Sequence, residues 1–294
     1  STNATSCTAS GGWSGTKATS GSQSVTPSVT TTYTLSCTGT GGTITQSATV
    51  TVTSASTPIA WYRFDEGSGT TAIDSSGNNN TGTITGAVYS TGKLGTALSF
   101  NGTNSSVTIP DVPSLDLTSA FTLASWVNPA VANLDFRAIM VKNDPYAYYL
   151  YSSIAGHCGN GNVLGGFSQG ATGGFNVCQP TPLFVTTWTH LALTYNGSTL
   201  TLYRNGVAVA SSLASGMPPA SIGTLQIGAS QYGEYFHGLL DDVRIYNRAL
   251  LASEIATLAS PAPTLSASPS SITTSGIETV TWSNVTSPLT TDWI

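Results

Sequence analysis

The run Thr189-His190-Leu191-Ala192-Leu193-Thr194-Tyr195-Asn196-Gly197-Ser198-Thr199-Leu200-Thr201-Leu202-Tyr203-Arg204-Asn205-Gly206-Val207-Ala208-Val209-Ala210 decides the fold class. Three stretches rich in β-branched and aromatic residues, Thr189 to Tyr195, Thr199 to Arg204 and Val207 to Ala210, are separated by Asn196-Gly197 and Asn205-Gly206. Asn-Gly is the strongest short hairpin signal, because a type I′ turn needs positive φ at both central residues. Upstream, Thr30 to Cys37 and Ser47 to Thr53 alternate β-branched or aromatic residues with small polar ones, with Gly39, Gly41 and Gly42 as the turn between them. A period of two is the signature of a half-exposed strand. One short helix near Ser253 to Leu258 is the only helical signal. The chain is therefore expected to be all-β, a sandwich or jelly roll.

Composition narrows the class. Of the 294 residues 7% are charged and 39% hydrophobic, with a net charge of −5. Average soluble domains carry roughly 25% charged residues, so coiled coils and basic nucleic-acid binders are excluded. No apolar run approaches the roughly 18 residues of a membrane span. Nucleic acid and membrane insertion are accordingly not expected. Charge is concentrated between Arg63 and Glu254, whereas before Thr57 more than half of the residues are Ser or Thr and Lys17 is the only charge. Linkers are expected at Ala55 to Pro58 and Ser260 to Pro263. The four cysteines form two local pairs, Cys7 with Cys37 and Cys158 with Cys178, and no Cys-x-x-Cys appears. Two disulfides and an extracellular or cell-surface setting are expected.

Five motifs carry a family resemblance: Trp61-Tyr62-Arg63-Phe64-Asp65-Glu66-Gly67-Ser68-Gly69-Thr70, Gly95-Thr96-Ala97-Leu98-Ser99-Phe100-Asn101-Gly102, Phe121 to Pro129, Trp188 to Ala192, and Phe236 to Leu250. In that order, over about 200 residues, they resemble the laminin-G-like, concanavalin A-like jelly roll. The resemblance implies two packed antiparallel sheets, often with a structural calcium, in non-catalytic secreted or cell-surface modules that bind glycans or proteins or act as spacers. The expected division is residues 59–259 as the jelly roll, with 1–54 and 264–294 as flanking segments. With Cys7, Gly11-Gly12-Trp13-Ser14-Gly15 and Tyr33-Thr34-Leu35-Ser36-Cys37 the first flank resembles the closing strands of a bacterial immunoglobulin-like domain, and with Leu265-Ser266-Ala267-Ser268-Pro269 and Val280-Thr281-Trp282-Ser283 the second resembles its opening strands. A half-sandwich leaves an apolar face and unpaired edges in water. Two readings follow: truncation of a longer tandem protein, or head-to-tail self-assembly in which the terminal strands complete one another between copies.

Candidate chemistry is sparse. Glycoside hydrolysis needs two opposed carboxylates. The only adjacent acids are Asp65-Glu66 and Asp241-Asp242, and neighbours on a regular strand point to opposite faces. A Glu-x-Asp-x-x-Glu strand motif is absent, so an enzyme is not expected. By the same alternation Asp241 shares a face with Val243 and Ile245. Asp74 lies in a turn rich in oxygen ligands. Asp74 with Asn78 or Asn79 and one of Asp241 or Asp242 is the expected calcium site; the alternative is an Asx-turn at Asp74 and an arginine salt bridge.

The most distinctive segment is Asp144 to Gln179, where tyrosines precede the Cys158 to Cys178 loop. Aromatic faces stack on sugar rings, so Tyr146, Tyr148, Tyr151, Phe167 and Phe175, with Tyr232 and Tyr235 as a second rim, are the candidate glycan-binding residues. The same tyrosines also fit strand alternation, in which half would be core. Function is expected to be that of a structural or adhesive surface module, with a carbohydrate-binding module of a larger secreted enzyme as the alternative.

Overall fold

The computed structural model describes residues 4–25, 31–50, 57–132, 135–144, 146–156, 158–169 and 173–260, together with the strand segments 264–268 and 279–283. The chain divides into two compact units, Ser1–Thr57 and Pro58–Ile294.

In the first unit β1 (Ala4–Gly11), β2 (Gly15–Lys17), β3 (Thr31–Gly39) and β4 (Gly42–Val50) form one sheet in the order β2-β1-β3-β4. The turn Thr40-Gly41 joins β3 to β4, where the glycines place it. The predicted residues Thr51 to Thr53 lie outside the described residues. Alternation sends Thr32, Thr34, Ser36 and Thr38 to the solvent face, where they bond across to Thr49, Ser47, Thr45 and Thr43 at 2.7–2.9 Å. On the opposite face Cys7, Ala9 and Tyr33 are buried. Cys7 and Cys37 sit directly opposite in register and form a disulfide.

The second unit holds two large antiparallel sheets. Sheet I runs β18 (Val207–Leu213), β17 (Thr199–Arg204), β16 (Thr189–Tyr195), β11 (Phe121–Pro129), β20 (His237–Tyr246), β9 (Thr96–Asn101), β8 (Val88–Thr91), with β5 (Ala60–Tyr62) also paired to β20. Sheet II runs β15 (Gly174–Cys178), β14 (Leu164–Ser168), β13 (Tyr148–Ser153), β12 (Arg137–Lys142), β19 (Leu225–Ile227), β10 (Ser106–Ile109), β7 (Gly82–Thr85), β6 (Thr71–Ala72). Leu123, Leu191, Leu193, Leu240, Val243 and Ile245 of sheet I pack on Val107, Ile109, Met140, Tyr148, Leu150 and Ile227 of sheet II in one core. This is the jelly-roll sandwich expected from the sequence.

The two Asn-Gly turns differ. Asn205 and Gly206 both have positive φ, +50° and +82°, as a type I′ turn requires. At Asn196-Gly197 only the glycine does, and the Asn196 carboxamide oxygen instead accepts the Ser198 and Thr199 N–H groups. The helix α1 (Ala252–Ala259) caps the outer face of sheet I, placing Ile255 against Ala124, Ala192, Tyr203 and Tyr246. Its start is held by Glu254, which accepts the Leu251 N–H and pairs with Arg248. Separately, β21 (Thr264–Ser268) and β22 (Thr279–Ser283) pair antiparallel, with Leu265 opposite Trp282 and Ala267 opposite Val280.

Candidate functional site

The acidic candidates resolve first. Asp74 is buried, and both of its carboxylate oxygens are taken: Oδ1 by the Trp61 and Ser76 N–H groups, Oδ2 by the Ser76 hydroxyl and the Asn80 N–H. Asn78 donates its amide to the Ile59 carbonyl, and Asn79 turns the chain with φ +60°. Four donors around one carboxylate make an Asx-turn staple to β5. As they stand, these residues do not form a calcium cage, because a cation would have to displace donors rather than join acceptors. Among the described residues no three of His, Cys, Asp and Glu gather to hold a metal.

The aspartate pair departs from simple alternation. Leu240 and Val243 both lie in the core between the sheets, and between them the register of β20 against β11 shifts by one residue, with Asp242 at φ +50°. This is a β-bulge, and it turns both aspartates away from the core, correcting the expectation that Asp241 shares a face with Val243 and Ile245. Asp242 accepts the Trp61 indole N–H at 2.6 Å and pairs with Arg244, whose guanidinium lies 4.3 Å from the Trp61 ring centroid. Asp241 accepts the Lys93 and Leu94 N–H groups at 2.8 Å, pinning the β8–β9 turn over it. Burial pushes the Asp241 carboxyl up to about 7, with the Asp242 charge adding to the shift. Thus Asp74 and Asp242 meet at Trp61 from two sides, each through a hydrogen bond. The doublet faces one way yet is sealed, since Asp241 is 0% and Asp242 4% exposed. Asp65 and Glu66 are likewise engaged, by Arg63 and by the Ile73 N–H and Tyr89 hydroxyl.

The aromatic candidates separate by strand parity. Tyr148 and Phe167 are fully buried in the core, so neither can touch a glycan. Phe175 is half-buried against Phe167, at 5.7 Å. Tyr235 is half-buried and contributes a carbonyl to Arg137. The opposite parity of β13 sends Tyr149 and Tyr151 outward, where a chain of ring contacts runs Tyr232, Tyr146, Tyr149, Tyr151, Phe136 at successive centroid distances of 5.2, 6.2, 5.9 and 5.9 Å. We call this row the ledge. It rests on Ala138, Val141, Ile154 and Leu164, with Cys158 and Cys178 beside them, joined as expected by a disulfide. Tyr149 lies over Gly166, where any side chain would collide with its hydroxyl.

Glu234 organises the ledge. Its Oε2 accepts the Tyr146 hydroxyl at 2.9 Å, the Tyr151 hydroxyl at 2.7 Å and the Ser230 hydroxyl at 2.5 Å. Desolvation, reinforced in Tyr151 by the bond to Glu234, raises the phenol pKa values, to about 12 for Tyr146, so these hydroxyls stay protonated and donate. Asp144 and Tyr146 both take left-handed backbone, φ +42° and +58°, which costs about 1–2 kcal/mol per residue. That geometry brings the Tyr146 ring to the ledge. Tyr232 is 69% and Phe136 37% exposed, and Tyr146 and Tyr149 are half-buried, so these four rings are offered to solvent, whereas the candidate Tyr151 is 4% exposed and supports them from within. Tyr149, Phe136, Ser230 and Glu234 were not among the sequence candidates. For Tyr149 a signal existed, its shared parity with Tyr151. A separate cleft of about 110 Å³, lined in part by Arg137, His237 and Leu183, is below the roughly 300 Å³ of an ordinary ligand pocket.

A sequence model described as the concanavalin A-like lectin/glucanases superfamily, of laminin-G type, matches residues 101–256. The chain belongs to this superfamily. Among solved structures similar to this chain is domain 4 of AbnA, a GH43 extracellular arabinanase from Geobacillus stearothermophilus, in complex with arabinotriose. It is 26% identical with a TM-score of 0.58, over 69% of this chain and 98% of that one. The binding domain of Paraclostridial Mosquitocidal Protein 1 is 19% identical with a TM-score of 0.57, over 69% and 52%. The botulinum neurotoxin serotype G binding domain is 16% identical with a TM-score of 0.54, over 69% and 50%. The chain thus spans about half the length of these toxin binding domains, and at that identity the likeness shows the fold alone. No curated protein sequence matches the chain significantly. Two of these similar structures are named as binding domains and the third as a domain of an extracellular enzyme.

Proposed function

We propose that this chain is a non-catalytic, glycan-binding module of an extracellular protein, with the ledge as its binding face. One observation carries the reading: the exposed or half-buried rings of Tyr232, Tyr146, Tyr149 and Phe136 gather beside the buried Tyr151 at β13 of sheet II, and the Tyr146 and Tyr151 hydroxyls are fixed by one carboxylate. Rigid aromatic surface presented without reorganisation is what stacking on sugar rings requires. The arabinotriose bound to AbnA domain 4, a domain of the same fold, supports the class of ligand. The acid doublets are engaged by protein donors, which supports a binding role over a hydrolytic one. Two disulfides support an extracellular setting, and no helix among the described residues is long and apolar enough to cross a membrane.

Affinity electrophoresis of the intact chain in gels cast with neutral polysaccharides tests this reading. Retardation by at least one of them is expected, with Tyr232→Ala and Tyr149→Ala each weakening it roughly tenfold, the effect of removing a central aromatic contact. Unretarded migration in every gel, or retardation indifferent to both substitutions, overturns it.

A second reading concerns the first unit. Ile44 is 68% and Val50 39% exposed on the face that buries Cys7 and Tyr33, and β4 is an edge strand among the described residues. The register of β21 with β22 pairs Leu265 with Trp282 and Ala267 with Val280, apolar residues opposite one another in the two strands. Completion of the open face by the β21–β22 hairpin of another copy would give head-to-tail filaments. Negative-stain electron microscopy checks it: filaments abolished by Ile44→Lys are expected, and monomeric particles at high concentration contradict it.

A further inference from the structure

Resting on the ledge as a glycan site, the charge pattern around it specifies the class of glycan. All three hydroxyls bonded to Glu234 converge on Oε2, and Oε1 accepts no hydrogen bond from a described residue. The ledge therefore presents an anionic acceptor at its centre and, among the described residues, no free Lys or Arg to balance it. Asp135, with its side chain 74% exposed, adjoins Phe136, and the exposed Asp144 precedes Tyr146 by two residues. The nearby cations are engaged: Arg137 donates to the Gly102 and Tyr235 carbonyls and lies 3.7 Å from Asp135, while Lys142 is fully buried against Asp111 and two carbonyls. A bare carboxylate oxygen accepts from ligand hydroxyls and repels ligand carboxylates and sulfates.

We propose that Glu234 is a specificity-determining residue that restricts the ledge to uncharged glycan chains, accepting a sugar hydroxyl at Oε1 and excluding uronate-bearing or sulfated polymers. Like charges a few ångströms apart in a partly desolvated site disfavour the acidic ligand by roughly tenfold or more at low salt, and the gap narrows as salt screens it.

The test uses the intact chain and two panels in affinity electrophoresis and calorimetry: arabinan, galactan and xylan as neutral polymers, polygalacturonate, alginate and heparin as acidic ones. The expected result is binding to at least one neutral polymer, at least about tenfold tighter than to any acidic one at low salt, with the ratio shrinking at high salt. Glu234→Gln keeps an acceptor oxygen but removes the charge, so the neutral-to-acidic ratio is expected to fall several-fold even where absolute affinity drops. Acidic polymers bound as tightly as neutral ones by the native chain, or a ratio unmoved by Glu234→Gln in a folded variant, overturns the assignment while leaving glycan binding standing. Binding to neither panel overturns both.

Discussion

Asp241 and His190 flank Trp126 on adjacent strands of sheet I, in the same cross-strand row. Both are buried, and their titrations oppose each other. Burial holds the Asp241 carboxyl at about 7 against an ordinary 3.8. Between those values the native state keeps a proton that the unfolded chain has lost, so this residue makes stability fall as pH rises. Burial, aided by the Arg244 charge, holds the His190 imidazole at about 3 against an ordinary 6.5. Below 6.5 the unfolded chain takes up a proton that the native state refuses, so this residue makes stability rise with pH. From about pH 5 to 6.5 the two slopes cancel, each approaching 1.4 kcal/mol per pH unit where fully developed. Denaturant melts across that window are expected to show native stability nearly flat, Asp241→Asn rising with pH and His190→Gln falling. An Asp241→Asn variant as flat as the native chain would contradict this account of the row.

At the scale of elements, the ledge depends on the segment that runs from β13 through β14 to β15. The Cys158–Cys178 bridge closes a separation of 20 residues and packs with Tyr146 and Tyr149 on the satellite cluster. Replacing both cysteines by serine is expected to cost about 3 kcal/mol, from the loop entropy returned to the unfolded state, and to weaken glycan binding as the rings lose their support. Thermal melts and affinity gels read the two effects, and a variant with undiminished binding would place the ledge's rigidity elsewhere. The strands that build this region were legible from periodicity, the Asn-Gly signals and the helix near Ser253 to Leu258. Which tyrosines face outward was not settled, because three of them crowd Tyr148 to Tyr151 and parity needs an inside reference, which only the packing of Leu150 on sheet I supplies. The bulge at Asp241-Asp242 was hidden for a related reason: an extra residue in one strand is visible only against its partner's register. Glu234 carried no sequence signal, since a lone acid becomes a hub only when Tyr146, Tyr151 and Ser230 are folded around it.

On the scale of the whole molecule, a sparsely charged jelly roll places its few ionisable groups in structural work: Asp74 staples a turn, Asp242 holds Trp61 and Arg244, and Lys142 saturates buried carbonyls. On the proposed reading, recognition falls to the aromatic surface of the ledge and to the Glu234 carboxylate within it. The fold was readable because five motifs in order span the second unit; the ligand was not, because the same scaffold carries many different sites on its surface. Isothermal titration of the intact chain with a neutral oligosaccharide chosen from the gel panel, run beside Tyr232→Ala, tests the central claim most directly. The account predicts a saturable exothermic isotherm for the native chain and about tenfold weaker binding for the variant, which melts with the native chain because Tyr232 is largely exposed. Equal isotherms from the two proteins, or no heat from either with any neutral glycan, would contradict it.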